Sequence, residues 1–147
     1  MEILELTSAQ THPLRRLVLR DNDPTRSVTY PEDDDPNALH LGVRDGSGAI
    51  VATSTWIPRQ CPDVPAASAI QLRGMATEAS VRGTGIGGRL FEAGIARFAD
   101  LGHDLVWARA RDAALGFYTS HGCVVVGEGF VDEATNLPHH IVVRRLR

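Results

Sequence analysis

The segment at residues 82–88 reads RGTGIGG, with four glycines that precede an apolar, helix-like stretch. Glycine loses more backbone freedom on folding than any other residue, and it offers no side chain to pack in return. Consecutive backbone N–H groups in such a loop can close on an anion, and a helix that begins there adds the positive end of its dipole. The sequence therefore predicts an anion-binding loop, called the glycine loop below.

Two phosphate sites fit this pattern to different degrees. A Walker-type loop requires Lys followed by Ser or Thr after its last glycine, but Arg89 and Leu90 stand there. A pyrophosphate loop at a helix N-terminus requires a preceding strand, an arginine and then x-x-G-x-G, which Arg82, Gly85 and Gly87 supply. The second pattern is the better match.

A dinucleotide-binding fingerprint is also present in literal form. Gly83, Gly85 and Gly88 satisfy G-x-G-x-x-G, and Asp104 follows at a suitable distance. That fold, however, places its first glycine directly after a strand and its acid at the end of the next strand. Here TEASVR separates strand and loop, and Asp104 precedes its strand. A nicotinamide-dependent oxidoreductase is therefore the weakest of the functional alternatives.

Two segments in tandem carry a family resemblance. QLRGMATEASVRGTGIGGRL is followed by ARDAALGFYTSHGCVVVGEGF, and together they cover about half of the chain. In order and spacing they resemble the two signature segments of the GNAT superfamily of acyl-CoA-dependent N-acetyltransferases. The resemblance implies an α/β (α+β) fold, with one mixed, mostly antiparallel central sheet, flanking helices and splayed central strands. It also implies one domain over residues 1–147.

The resemblance implies that acetyl-CoA is the co-substrate. Backbone N–H groups of the glycine loop would bind its pyrophosphate, and the strand that ends at residues 75–77 would pair with the pantetheine. An N–H near Met75 or Ala76 would polarise the thioester carbonyl. The implied cofactor-binding residues are Met75, Ala76, Thr77, Arg82, Gly83, Thr84, Gly85, Ile86, Gly87, Gly88, Arg109 and Ala113.

Arg109 marks a departure from the family pattern. The strand before the second helix of the signature often ends in an asparagine that contacts the cofactor, and Arg109 stands at that position. Arg109 or Arg111 would instead reach a CoA phosphate or an acidic acceptor.

Tyr118 matches the family position whose hydroxyl faces the CoA sulfur, so the resemblance makes it the general acid. The alternative is a core tyrosine that packs the short helix, as its neighbour Phe117 would. An amine nucleophile also requires a base. Glu78 is the first candidate and His40 the second. Some members of the family need no dedicated base. Further candidates for the base are His139, His140, Glu128, Asp132 and Glu133.

Three other features have both a functional and a structural interpretation. The acidic run EDDD at residues 32–35 could attract a cationic amine or could be a solvated surface. Trp56 and Trp107 fall in strands and are expected in the core. A non-catalytic acyl-CoA sensor would keep the glycine loop without needing Tyr118, and the sequence leaves that alternative open.

The elements that position these residues alternate along the chain. A strand at ILEL precedes a helix with Thr7, Ser8 or Thr11 as its cap, Pro13 in its first turn and an apolar face at Leu14, Leu17 and Val18. A DGSG turn then predicts a β-hairpin. Strand, helix, strand, short helix and two strands follow. The helix after the glycine loop has its predicted apolar face at Leu90, Phe91, Ile95, Phe98 and Leu101, with Gly102 as its C-cap.

Composition restricts the class of protein. With 147 residues, 43% of them apolar, the chain is long enough for one domain with a core. A net charge of −3 does not indicate a basic surface for nucleic acid, and no apolar run predicts a membrane span. All 15 basic residues are arginine, which excludes lysine chemistry. We expect a cytoplasmic protein without a metal, acting on a small-molecule amine or amino-acid derivative, with a homodimer as a further possibility.

Overall fold

The computed structural model describes residues 1–147, which form a mixed seven-stranded sheet with flanking helices. The strands lie in the order β1-β2-β3-β4-β5-β7-β6. Most of the neighbouring pairs are antiparallel, and β4 and β5 pair in parallel. The strands are β1 (Glu2–Glu5), β2 (Leu39–Arg44), β3 (Ile50–Pro58), β4 (Ala69–Thr77), β5 (Leu105–Arg111), β6 (Val124–Val131) and β7 (Pro138–Arg145).

Three α-helices accompany the sheet: α1 (Ser8–Leu14), α2 (Ile86–Asp100) and α3 (Leu115–Ser120). A π-helical turn (Arg15–Leu19) continues α1, and single 3₁₀ turns lie at Ala79–Val81 and Asp112–Ala114. This element order confirms the predicted one. None of the helices combines the length and the apolar character of a membrane span.

The chain forms two compact units. Unit 1 comprises Met1–Ile57 and Arg73–Ala96, and unit 2 comprises Pro58–Leu72 and Arg97–Arg147. Both β4 and α2 contribute residues to each unit. The prediction of one domain over residues 1–147, and that of splayed central strands, stay predictions.

The β2–β3 hairpin of unit 1 forms because Asp45 holds its turn. The Asp45 carboxylate accepts hydrogen bonds from the backbone N–H groups of Ser47 and Ala49, and the backbone N–H of Asp45 donates to the Ala49 carbonyl. The pairs Leu39↔Trp56 and Leu41↔Ser54 set the register. Trp56 is fully buried and packs against Phe91 of α2, with ring centroids 6.1 Å apart. The hairpin and the core position of Trp56 are confirmed.

In unit 2, β5 pairs in parallel with one neighbouring strand and antiparallel with the other. It pairs with β4 from Ala69↔Leu105 to Leu72↔Ala108, and with β7 along its full length. Trp107 is buried beside Cys61 and donates its indole N–H to the Arg59 carbonyl at 2.8 Å. The prediction that Trp107 lies in the core is confirmed.

Two helix faces differ from the prediction. Thr7 caps α1 with a reciprocal capping box to Gln10, but Pro13 lies well inside α1 rather than in its first turn. Bonding in the π-helical turn is one residue wider than in an α-helix. Arg15 is therefore buried with Leu14, while Leu17, which the sequence places on the apolar face, is 47% exposed.

Four residues of the predicted apolar face of α2 are buried, which are Leu90, Phe91, Ile95 and Phe98. Leu101 is an exception, because α2 ends at Asp100 and Leu101 is 63% exposed. Gly102 follows with φ +85° and donates its N–H to the Ala99 carbonyl, which confirms it as the end of the helix.

Candidate functional site

The glycine loop connects the 3₁₀ turn after β4 to the first turn of α2. Gly83 and Gly85 have φ of +78° and +85°, and no atom would lie within 4 Å of a Cβ added at either residue. L-residues rarely adopt this backbone conformation. Gly85 has no side chain that could cap α2, which begins at Ile86, so it satisfies none of the N–H groups that the first turn of a helix leaves without backbone partners.

The arginine that opens the glycine loop helps to fix its shape. Arg82 donates from Nε to the Thr77 carbonyl at 3.1 Å, which ties the loop to the end of β4. The hydroxyl of Thr84 donates to the Val81 carbonyl. Arg82, Gly83, Thr84 and Gly85 are exposed, whereas Ile86 and Gly88 are buried and Gly87 is half-buried. An exposed glycine-rich backbone at a helix N-terminus is suited to an anion such as a pyrophosphate group.

The end of β4 contains a local break in strand geometry. Gly74 has φ +60° within the strand, and its carbonyl accepts a 3.4 Å hydrogen bond from Thr53 Oγ1. Met75 and Thr77, which follow it, are half-buried, and Ala76 is buried. The backbone is thus reoriented just before the three residues that the family resemblance assigns to pantetheine and the thioester.

Glu78 lines a cleft in unit 1 with a volume of about 420 Å³. Its backbone N–H donates to the Val51 carbonyl at 2.8 Å, and its carboxylate accepts a hydrogen bond from the Ser80 hydroxyl. The cleft is otherwise lined mainly by apolar side chains. Its other lining residues are Gln10, Pro13, Leu14, Leu17 and Ile50. A carboxylate in this position can accept a proton while remaining in contact with solvent.

His40 is buried, and both of its ring nitrogens have partners. Nε2 lies 2.9 Å from the Asp33 carbonyl oxygen, and Nδ1 lies 2.8 Å from Thr55 Oγ1. A carbonyl only accepts, so the network assigns the proton to Nε2 and makes Nδ1 the acceptor from Thr55. These contacts favour a structural role for His40 and leave it no lone pair for a substrate proton.

Two residues of the acidic run are paired with arginines, and the other two, Asp34 and Asp35, are exposed. Asp33 is buried and receives two hydrogen bonds from Arg15, at 2.8 and 2.9 Å. Glu32 pairs with Arg73 at 3.2 Å, and Asp34 accepts from the Ser8 hydroxyl. The sequence does not indicate this pairing, because Arg15 and Asp33 are 18 residues apart.

Unit 2 contains Tyr118, on α3, with 7% of its surface exposed. Burial raises the pKa of the Tyr118 hydroxyl far above its ordinary value, and the nearby Cys123 thiol adds to the shift. The phenol therefore keeps its proton at neutral pH, as a proton donor must. Its ring packs edge-on against Phe117, with centroids 5.2 Å apart.

The remaining candidates of unit 2 lie on β5, β7 and the turn before α3. Arg109 is exposed and lies over the Phe130 ring at 5.2 Å, and Ala113 is exposed in the 3₁₀ turn. His140 Nδ1 lies 2.6 Å from Asp112 Oδ1, whereas buried His139 contacts the Leu137 carbonyl through Nδ1. Of the two histidines, His140 is the one held by a carboxylate.

The three other candidate bases of unit 2 lie at exposed positions or in a turn. Glu128 and Glu133 are exposed, and the Asp132 carboxylate accepts from the backbone of Ala134 and Thr135 in a tight turn. No three His, Cys, Asp or Glu side chains form a group that could hold a metal ion.

Comparison with known proteins bears on the whole chain. The model of the acetyltransferase (GNAT) family matches residues 4–123. The N-acetyltransferase YitI of Bacillus subtilis (strain 168), itself uncharacterised, is 29% identical over 143 residues, which is 97% of this chain and 94% of YitI.

Two solved structures share the fold. FeeM, an N-acyl amino acid synthase from uncultured soil microbes, has a TM-score of 0.80 at 12% identity and covers 99% of this chain and 95% of its own. An aminoglycoside 6′-N-acetyltransferase complexed with coenzyme A has a TM-score of 0.75 at 15% identity, and the match covers 100% of this chain and 98% of that structure's chain.

Proposed function

Because the chain belongs to the acetyltransferase (GNAT) family, we propose that it transfers the acetyl group of acetyl-CoA to a primary amine of a small molecule or amino-acid derivative. The observation that carries the proposal is the glycine loop. Gly83 and Gly85 adopt left-handed backbone conformations, and α2 begins directly after them. Such a loop binds a pyrophosphate through backbone N–H groups.

The residues at the end of β4 would hold the rest of acetyl-CoA, which supplies the activated acyl group as a thioester. Free backbone groups of Met75, Ala76 and Thr77 would pair with the pantetheine amides. An N–H at Met75 or Ala76 would donate to the thioester carbonyl oxygen. One donor of this kind contributes on the order of 10²–10³ in rate, because it is already oriented toward the charge that develops.

Proton transfer would require two further groups. The amine forms a C–N bond to the carbonyl carbon while the C–S bond breaks, so the amine loses a proton and the thiolate gains one. Tyr118 would donate to the thiolate, consistent with a hydroxyl that is protonated at neutral pH. Glu78 would accept the amine proton, directly or through water. The occupied ring nitrogens of His40 make it the weaker candidate.

A titration experiment tests this function. Calorimetry with acetyl-CoA should give micromolar binding, and NADH should give none. Gly85→Val should abolish acetyl-CoA binding, because a β-branched residue resists a φ of +85° and its side chain would enter the open side of the loop.

The matched control is Gly48→Val, in the β2–β3 turn. Gly48 has φ +90° and equally open surroundings, so the backbone strain is similar but the site is intact. Binding of NADH without binding of acetyl-CoA would overturn the proposal. Acetyl-CoA binding without turnover of any amine would support the acyl-CoA sensor instead.

A further inference from the structure

An unusual cation–aromatic cluster lies beside Gly74 in unit 1. The guanidinium carbons of Arg15 and Arg73 lie 4.0 and 4.1 Å from the centroid of the Tyr30 ring. One such contact stabilises a structure modestly, and here two guanidinium groups share one ring. We call Arg15, Tyr30 and Arg73 the arginine–tyrosine surface.

Arg15 is the buried member, with 1% of its surface exposed. Its Nη1 and Nη2 donate to both carboxylate oxygens of Asp33, and Nη2 also donates to Thr55 Oγ1 at 2.7 Å. Its Nε has no hydrogen-bond partner. An unpaired donor in a buried guanidinium is costly, and this one lies at the Gly74 backbone, 3.1 Å from the position of an added Cβ.

Tyr30 and Arg73 are the accessible members. The Tyr30 hydroxyl oxygen would lie 3.2 Å from a Cβ at Gly74, so it stands directly at the break in β4. Arg73 is 31% exposed and gives one hydrogen bond, from Nη1 to Glu32. The other guanidinium N–H groups of Arg73 remain as donors, since a guanidinium carries five.

The chemistry of these groups selects one kind of ligand atom. Guanidinium N–H groups only donate, and the Tyr30 hydroxyl can donate as well. The carboxylates that contact these arginines, Asp33 and Glu32, are each paired with one of them. A ligand here must therefore present oxygen acceptors, and a carboxylate matches the planar donor set of arginine best.

We propose that the arginine–tyrosine surface binds the carboxylate of an amino-acid acceptor. This inference rests on the proposed function, because Gly74 directly precedes the residues assigned to the thioester. Arg73 and Tyr30 contact the carboxylate. Arg15 is a positioning residue that acts through the Tyr30 ring. The acceptor is thus an amino acid or a close derivative that keeps its carboxylate, rather than a simple amine.

The test compares acceptors that differ in one group. The protein loaded with CoA is titrated with a panel of L-amino acids and with the corresponding amino-acid amides, and turnover with acetyl-CoA is measured for the same pairs. We expect at least one acid to bind and its amide to bind about tenfold or more weakly, since one charge-assisted contact is lost.

Two variants locate the contact. Arg73→Gln and Tyr30→Phe should each raise KM for the acid about tenfold, with little change in kcat or in KM for the amide. Arg44→Gln is the matched control, because Arg44 is also a surface arginine paired with a glutamate, Glu2, but lies on β2. The control should leave every constant unchanged.

Two results would overturn the inference. One is that protein that binds CoA binds the acids and their amides equally well, or binds none of them. The other is that Arg73→Gln raises KM by the same factor for the acid and for its amide. If the unmodified protein did not bind CoA, the proposed function itself would be contradicted, so the two failures are distinguishable.

Discussion

At the residue scale, Tyr118 and Asp33 are both buried titrating groups, yet their pKa values shift in opposite directions. Burial alone raises the pKa of either group, because it disfavours the charged form. For Tyr118 that effect prevails. For Asp33, burial is the largest single influence, yet the hydrogen bonds from Arg15 and from the Tyr30 backbone N–H outweigh it and lower its pKa. Asp33 is therefore charged, whereas Tyr118 is neutral.

Tyr118→Phe tests the general acid. We expect kcat for the best amine acceptor to fall by about 10²-fold or more, because the thiolate would leave without a proton. Acetyl-CoA affinity, measured by titration, should change little. Unchanged turnover would show that Tyr118 is a core residue of α3 and nothing more.

Asp33→Asn should lower the free energy of unfolding at neutral pH by about 3 kcal/mol, because it leaves the buried Arg15 charge without its carboxylate. Since the folded-state pKa of Asp33 is below its ordinary value of 3.8, its contribution is present above that value. It is lost as the pH falls through the lower, folded-state pKa. His12 Nε2 lies 3.8 Å from the Asp33 carboxylate, and His40, which contacts the Asp33 backbone carbonyl, also acts on it through its charge.

Urea unfolding of both proteins, followed from about pH 7 to about pH 2, measures this difference. The difference in free energy of unfolding between the unmodified protein and Asp33→Asn should become smaller as the pH falls and then vanish in acid. Asp35→Asn, at an exposed position of the same acidic run, should show no comparable gap. A gap that stays constant throughout this range would contradict the ion-pair interpretation.

At the element scale, α2 packs closely on β3 where Gly94 faces the ring of Trp56. A Cβ on Gly94 would lie 2.0 Å from Cζ2 of Trp56, which is fully buried. Gly94→Ala should therefore destabilise the protein by about 1–3 kcal/mol through overpacking, although alanine is the better helix former.

The control for Gly94→Ala is Gly116→Ala in α3, where the added methyl group meets nothing within 4 Å. That change should be neutral or stabilise by up to about 1 kcal/mol. Urea denaturation of the two variants decides between these outcomes. Equal effects would mean that Trp56 moves aside at no cost.

Most elements could be predicted because their causes are local. The DGSG turn is held by one aspartate within the turn, and α2 follows the 3.6-residue period until it ends before Leu101. The Arg15–Asp33 pair could not be predicted, since its partners are 18 residues apart and neither follows an apolar pattern. The sequence pattern predicts the glycine loop as an anion site, and only the family resemblance indicates which anion; this stays a prediction.

At the scale of the whole molecule, one sheet contains strands from two compact units. We still expect a single domain, so the urea transitions above should be single and coincide between fluorescence and circular dichroism. The homodimer also stays a prediction. The edge strand β6 is the surface to examine first, because Val124 and Val131 are more than half exposed there.

The two buried cysteines have a practical consequence for enzymology. Cys61 and Cys123 are free thiols, each 7% exposed, and burial raises the pKa of Cys61 to about 11. Reagents that titrate thiols by disulfide exchange react with the thiolate, so the folded chain should contribute almost no background colour. Every equivalent of thiol that appears during turnover would then report one released CoA. The same reagent would signal unfolding of the chain when the baseline begins to drift.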